Sequence, residues 1–196
     1  AQAPPTPTQT PTPAPTPSPS PTRTPPPAPT PSPTRGAAPV PGAWGPTLAP
    51  LNGGRRYADP QGRFSFSVPQ GWNQSNTANA EVAFNAPGNA ASMTVTLQEV
   101  PASATIDSYN QALEGQLPQQ FPGYTHVSLD RVLVGNNQAY KRLSQATISG
   151  QVFQIEQVYF VANGAAHMLT FGSPPASFAA QEPTFDGIAG SYRAGR

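Results

Sequence analysis

Few residues in this 196-residue chain have the type and spacing to do chemistry. There is no cysteine, which removes disulfides, thiolate metal sites, a Cys nucleophile and a lipidated N-terminal Cys in this numbering. The two histidines, His126 and His167, fall on different predicted strands. A lone strand histidine is more often structural than a metal ligand. No HExxH, G-x-S-x-G or Gly-rich phosphate loop occurs. The nine acids are scattered as on a solvated surface, and a carboxylate pair for glycoside hydrolysis would have to be assembled by folding. Lys141-Arg142 lies in a predicted strand, where consecutive side chains face opposite sides. Arg55-Arg56 reads as a solvated junction pair. Asn73-Gln74-Ser75 has the form of an N-glycosylation sequon. The expectation is a protein without a catalytic, metal or cofactor site.

The elements that would position these residues begin at Tyr57–Trp72. Asp59-Pro60 and Gly62 are turn chemistry. Phe64, Phe66 and Val68 alternate with serines as a half-buried strand, and Trp72 folds back after Pro69 and Gly71. Short strands follow at 81–87 and 92–100, with Gly88-Asn89 as a hairpin turn between them. Ile106, Tyr109, Leu113 and Leu117 then share a helical face. Thr105 is its cap, Asp107 suits its positive end, and Pro118 is expected to stop it. Strands are expected at 125–135 with a bulge, at 138–150 after an Asn136-Asn137 turn, at 151–161, and again after the Asn163-Gly164 hairpin signal. A short helix carrying Phe185, Ile188 and Tyr192 is expected after Pro183. The fold class is α+β, a mainly antiparallel β-sheet with helices packed on it.

Ahead of this domain (57–196) stand two other regions. Residues 1–35 alternate Pro with Thr, Ser and Ala. Proline removes backbone donors, and there is too little apolar surface to offset ordering entropy. The expected state is a polyproline II rod at about 3.1 Å per residue, on the order of 110 Å long. Its composition is that of an O-glycosylated stalk, with Thr6, Thr8, Thr10, Thr12, Thr16, Thr22, Thr24 and Thr30 as candidate sites. Residues 36–56 form a linker in which Val40, Trp44, Leu48 and Leu51 are candidate anchors between subunits, with docking on the domain itself as the alternative for Trp44. Residues 1–56 carry four arginines and no acid. Residues 57–196 carry six basic and nine acidic residues, net −3. Neither balance suits nucleic acid. No run approaches the roughly 18 apolar residues of a membrane span. The chain opens Ala1-Gln2-Ala3 without Met, so a mature exported product is expected, with trimming of a longer chain as the rival.

The domain resembles the PsbP-like family of α/β/α sandwiches, which includes DcrB-like lipoproteins and Pro-rich secreted antigens. The resemblance rests on GRFSFSVPQGW at 62–72, the meander 125–173 and PTFDGIAGSYR at 183–193. It covers about the last 140 residues, and the order of these motifs carries it. It implies a non-enzymatic protein outside or at the surface of the cell. The expected function is a secreted or surface-displayed binding or accessory module on the stalk. The alternatives are a filament subunit joined to other copies through tail and linker, and an undetected hydrolase.

Overall fold

The computed structural model describes residues 44–121 and 123–195. The Pro/Thr tail, its eight candidate threonines and Val40 lie outside these residues. Seven strands form one antiparallel sheet: β3 (Asn73–Ser75), β4 (Val82–Asn85), β5 (Ser92–Glu99), β6 (Thr125–Val134), β7 (Asn137–Ile148), β8 (Gln151–Ala162) and β9 (Ala165–Ser173). Their spatial order is β3-β4-β5-β9-β8-β7-β6. A smaller sheet places β2 (Phe64–Val68) between β1 (Arg55–Ala58) and β10 (Arg193–Ala194). Helix α1 (Ile106–Gln120) packs on β7 and β8. Helix α2 (Pro175–Ser191) packs on β2, β6, β8 and β9.

Tight turns produce the long meander. Asn163 and Gly164 have φ of 53° and 78°, and Ser149 and Gly150 have 51° and 79°. Two successive positive φ values match the twist of a two-residue hairpin. The β6–β7 turn is Gly135-Asn136, one residue earlier than expected, because Gly135 takes the positive φ of 60° and Asn137 already pairs with Val134. The expected bulge in β6 appears as a register shift between His126 and Ser128.

Phe64, Phe66 and Val68 are buried as their alternation predicts. Ser65 is buried as well, since β2 is a central strand and Arg56 Nη2 donates to Ser65 Oγ at 3.1 Å. The main core gathers Phe66, Phe84, Phe160, Phe171, Phe185 and Tyr192, among others. Trp72 closes on it against Phe185, with ring centroids 6.5 Å apart.

Both helices run past the prolines that were expected to bound them. Pro118 lies in the last turn of α1, where only one backbone bond is lost, and Phe121 N still donates to Leu117 O at 3.1 Å. Helix α2 starts at Pro175, not after Pro183, and Pro183 sits inside it. Phe178 and Phe185, seven residues apart, are both buried on the core side, and that burial outweighs the missing donor.

The described part of the linker is laid on the domain. Leu48 N donates to Leu133 O (2.8 Å), Leu133 N to Pro46 O (3.1 Å) and Leu51 N to Gly187 O (2.7 Å). Thr47 forms a parallel bridge with Leu133, so the linker covers the end of the β6 edge. Gly190 lets it approach α2: a Cβ there would lie 2.5 Å from the carbonyl oxygens of Leu48 and Ala49.

Candidate functional site

The site is built at the far end of β5, where two neighbouring strands differ in length. Strand β4 pairs with β5 only between Ser92 and Val95, while β9 pairs with it from Ser92 to Glu99. On the β4 side, Glu81 N donates to Val95 O at 2.8 Å. Beyond that bond, no strand among the described residues flanks Thr96–Glu99 on this side. Antiparallel backbones turn alternate residues to alternate edges. Val95 faces β4, and Val100 N donates towards β9, to Gly164 O at 3.0 Å. The main-chain groups of Leu97 and Glu99 therefore point to the unpaired edge.

A recess opens on each face of this segment, and Glu99 and Val100 line both. The recess on the α1 face holds about 430 Å³. Its walls are Tyr109, Ala112 and Leu113 of the helix against Gln98, Val100 and Pro101. Tyr109 is held at both ends: its hydroxyl donates to Gln98 Oε1 at 3.2 Å, and its ring packs edge-on to Tyr159 at 6.0 Å. The helix start is fixed by a capping box, with Ser108 N donating to Thr105 Oγ1 (3.1 Å) and Thr105 N to Ser108 Oγ (3.0 Å).

The recess on the core face holds about 520 Å³, between the end of the large sheet and the start of β2. Arg63, Glu81, Glu99, Leu97 and His167 line it. Arg63 is anchored by Asp59, with Nε to Oδ2 and Nη2 to Oδ1 both 2.9 Å, and its Nη2 reaches Glu81 Oε2 at 2.6 Å. The Arg63 hydrogen bond holds the Asp59 carboxyl below the usual carboxylate range. Glu99 makes no ion pair among the described residues, and the described residues lining the recess carry net negative charge. His167 is 3 % exposed, with Nδ1 2.9 Å from the Tyr192 hydroxyl and Nε2 without a hydrogen-bond partner among the described residues. Burial pushes its pKa down, so it is neutral at pH 7.

Lys141 and Arg142 do face opposite sides. Lys141 Nζ meets Asp186 Oδ1 (2.7 Å), Glu182 Oε1 (3.0 Å) and Glu156 Oε2 (3.3 Å), tying α2 to the sheet. Burial works against the lysine charge, but the carboxylates of Glu156, Asp186 and Glu182 together raise its pKa. Glu156 is fully buried, and burial pushes its carboxyl up to about 8. Arg142, also fully buried, places Nη2 2.8 Å from Asn110 Oδ1, 2.7 Å from Glu114 Oε1 and 3.0 Å from the Tyr159 hydroxyl. These two clusters bind each helix to the sheet.

The other candidates are dispersed. His126 is exposed beside Glu114 at 4.0 Å, on a different strand from His167. Asn73 is exposed on β3. Trp44 packs on Tyr140 at 5.6 Å, with Arg131 over its ring at 5.2 Å. Leu48 is buried and Leu51 sits against Gly187. All three thus contact their own chain. Sequence reasoning passed over Glu81 and Glu99 as part of a solvated acidic surface and gave Arg63 no role of its own. The available signal was length: the run 92–100 is longer than its hairpin partner 81–87 and must overhang it.

The architecture is similar to several solved structures at low identity. Cyanobacterial PsbP (CyanoP) from Synechocystis matches at 14 % identity and a TM-score of 0.57, over 71 % of this chain and 91 % of that one. LpqN, involved in cell envelope biogenesis of Mycobacterium tuberculosis, matches at 13 % and 0.53, over 74 % and 87 %. The Ran-binding protein Mog1p of Saccharomyces cerevisiae matches at 10 % and 0.53, over 72 % and 95 %. These likenesses establish a PsbP-like sandwich, the fold that the sequence resemblance implies. No curated protein matches the sequence. The family model for the serine/threonine kinase C-terminal domain matches residues 55–194, from the first strand of the small sheet to the last. Over that whole folded region the chain belongs to the family of serine/threonine kinase C-terminal domains.

Proposed function

We propose that this domain is a non-enzymatic binding module, carried at the C-terminal end of a serine/threonine kinase and displayed outside the cytoplasm on an O-glycosylated Pro/Thr stalk. The observation that carries this reading is the pair of recesses on the two faces of Thr96–Glu99. Each joins hydrogen-bonding groups to apolar walls, the composition of a binding site. The family description supplies the kinase, and the repeat composition of residues 1–35 supplies the stalk. LpqN offers a precedent for this fold in envelope biogenesis. A filament subunit anchored through Trp44 and Leu48 would have to withdraw both from their present contacts, so the binding reading is preferred.

The test is amide NMR of the ¹⁵N-labelled chain titrated with fractions of envelope extract, together with protease shaving of intact cells. Shifts concentrated in residues 97–113, and loss of the domain on shaving, are expected. Shifts confined to other surfaces, or a domain protected until cells are lysed, would overturn the reading.

A further inference from the structure

We infer that the ligand at this site is an extended peptide, added as a strand to the free edge of β5, with a basic side chain flanked by apolar ones. The inference rests on the binding reading above and specifies its ligand. Main-chain pairing requires unpaired donors and acceptors on a strand edge, and Leu97 and Glu99 present them over a stretch just long enough for a tripeptide. Selectivity in strand addition comes from pockets that receive alternate side chains. Here the two recesses lie on opposite faces of one edge, and share Glu99 and Val100.

The register sets the chemistry. Leu97 pairs with His167 on its other side and points to the core face. A peptide residue placed opposite Leu97 sends its side chain to the same face. There it meets Glu81, which Arg63 already holds, and Glu99, which has no cationic partner among the described residues. A lysine or arginine suits that position, and an acidic residue is repelled. The neighbouring peptide residues point to the α1 face, where Tyr109, Ala112, Leu113 and Pro101 offer apolar walls. A ligand read through side-chain contacts alone would leave the main-chain groups of Leu97 and Glu99 unused. Helix α1 cannot supply the backbone partner, because its own groups are bonded internally.

The experiment uses the full 196-residue chain and a blocked Thr-Val-Lys-Val-Thr pentapeptide, with Thr-Val-Glu-Val-Thr and a Lys-N-methylated form as controls. The readout is hydrogen exchange of the Leu97 and Glu99 amides with the NMR shifts of residues 97–113. At saturating Lys peptide, exchange at both amides should slow at least tenfold. The Glu and N-methyl peptides should bind at least tenfold more weakly. Glu99→Lys should reverse the preference between the Lys and Glu peptides. Four results would overturn the inference: unchanged exchange at both amides, equal binding of the N-methyl peptide, no reversal in Glu99→Lys, or slowed exchange before any peptide is added, which would mean the chain's own tail already sits there. If peptides fail while another envelope fraction shifts residues 97–113, the strand-addition inference falls and the binding reading stands.

Discussion

Glu156 is fully buried, and its one ion-pair partner among the described residues, Lys141, is shared with two more accessible carboxylates. Its folded pKa of about 8 exceeds the ordinary 4.5, so the fold takes up a proton between these values. The contribution to stability is complete below about pH 4.5 and is lost as pH rises towards 8. In urea unfolding from pH 5 to 9, Glu156→Gln should flatten this decline, and an unchanged slope would refute the assignment. His167 has the opposite sign. Its folded pKa is depressed, so its contribution is present above its ordinary 6.5 and fades as pH falls through the lower folded value. Phe66 is a simpler case. It is 2 % exposed among Tyr57, Phe84 and Tyr192, and Phe66→Ala should cost about 3–5 kcal/mol by chemical denaturation. Phe66 was legible from alternation alone. The opposed directions of Lys141 and Arg142 were legible too. Their partners were not, because Glu182 and Asp186 reach Lys141 from a helix some 40 residues away.

At the scale of elements, hairpin chemistry announced most of the large sheet, and the Thr105 cap announced α1. Thr105→Ala removes the side-chain acceptor for Ser108 N and should cost about 1 kcal/mol in thermal unfolding, with Thr105→Ser close to neutral. Helix α2 was read too short, since Ala, Pro and Gly dominate it and its periodicity is faint. Its glycines matter for closeness: Gly190→Ala would drive a Cβ into the carbonyls of Leu48 and Ala49. That change should cost about 1–3 kcal/mol and accelerate proteolysis before Arg55. Strands β1 and β10 were missed, since four and two residues carry no detectable period, and both exist by pairing with β2. The overhang of β5, the basis of the candidate site, was present in the strand lengths. Its two recesses depend on where α1 and β2 arrive, which only the folded chain decides.

At the scale of the whole chain, tail and domain answer to different physics. For residues 1–35 we propose, from composition alone, a stalk stiffened by proline and by O-linked sugar. Proteolytic peptides from residues 1–35 of the native protein should exceed their sequence masses by whole hexose units on several of the eight threonines. Tail peptides at their bare sequence masses would refute the stalk assignment. The linker belongs energetically to the domain, at least from Trp44 onward. Deleting residues 1–43 should leave the unfolding midpoint unchanged, whereas Leu48→Ala should lower stability by about 2–4 kcal/mol in the same assay.

The linker runs parallel to β6 and bonds sideways to it and to α2, through Leu48, Leu133 and Leu51. These bonds lie across the chain direction. A pull on the chain ahead of Trp44 therefore loads them together, in shear, before any can open. Trp44, packed edge-on against Tyr140, adds a stop ahead of them. Such a pull reaches both the large sheet and α2 at once, so the bonds of residues 46–51 have the geometry of a mechanical clamp at the domain's N-terminal margin.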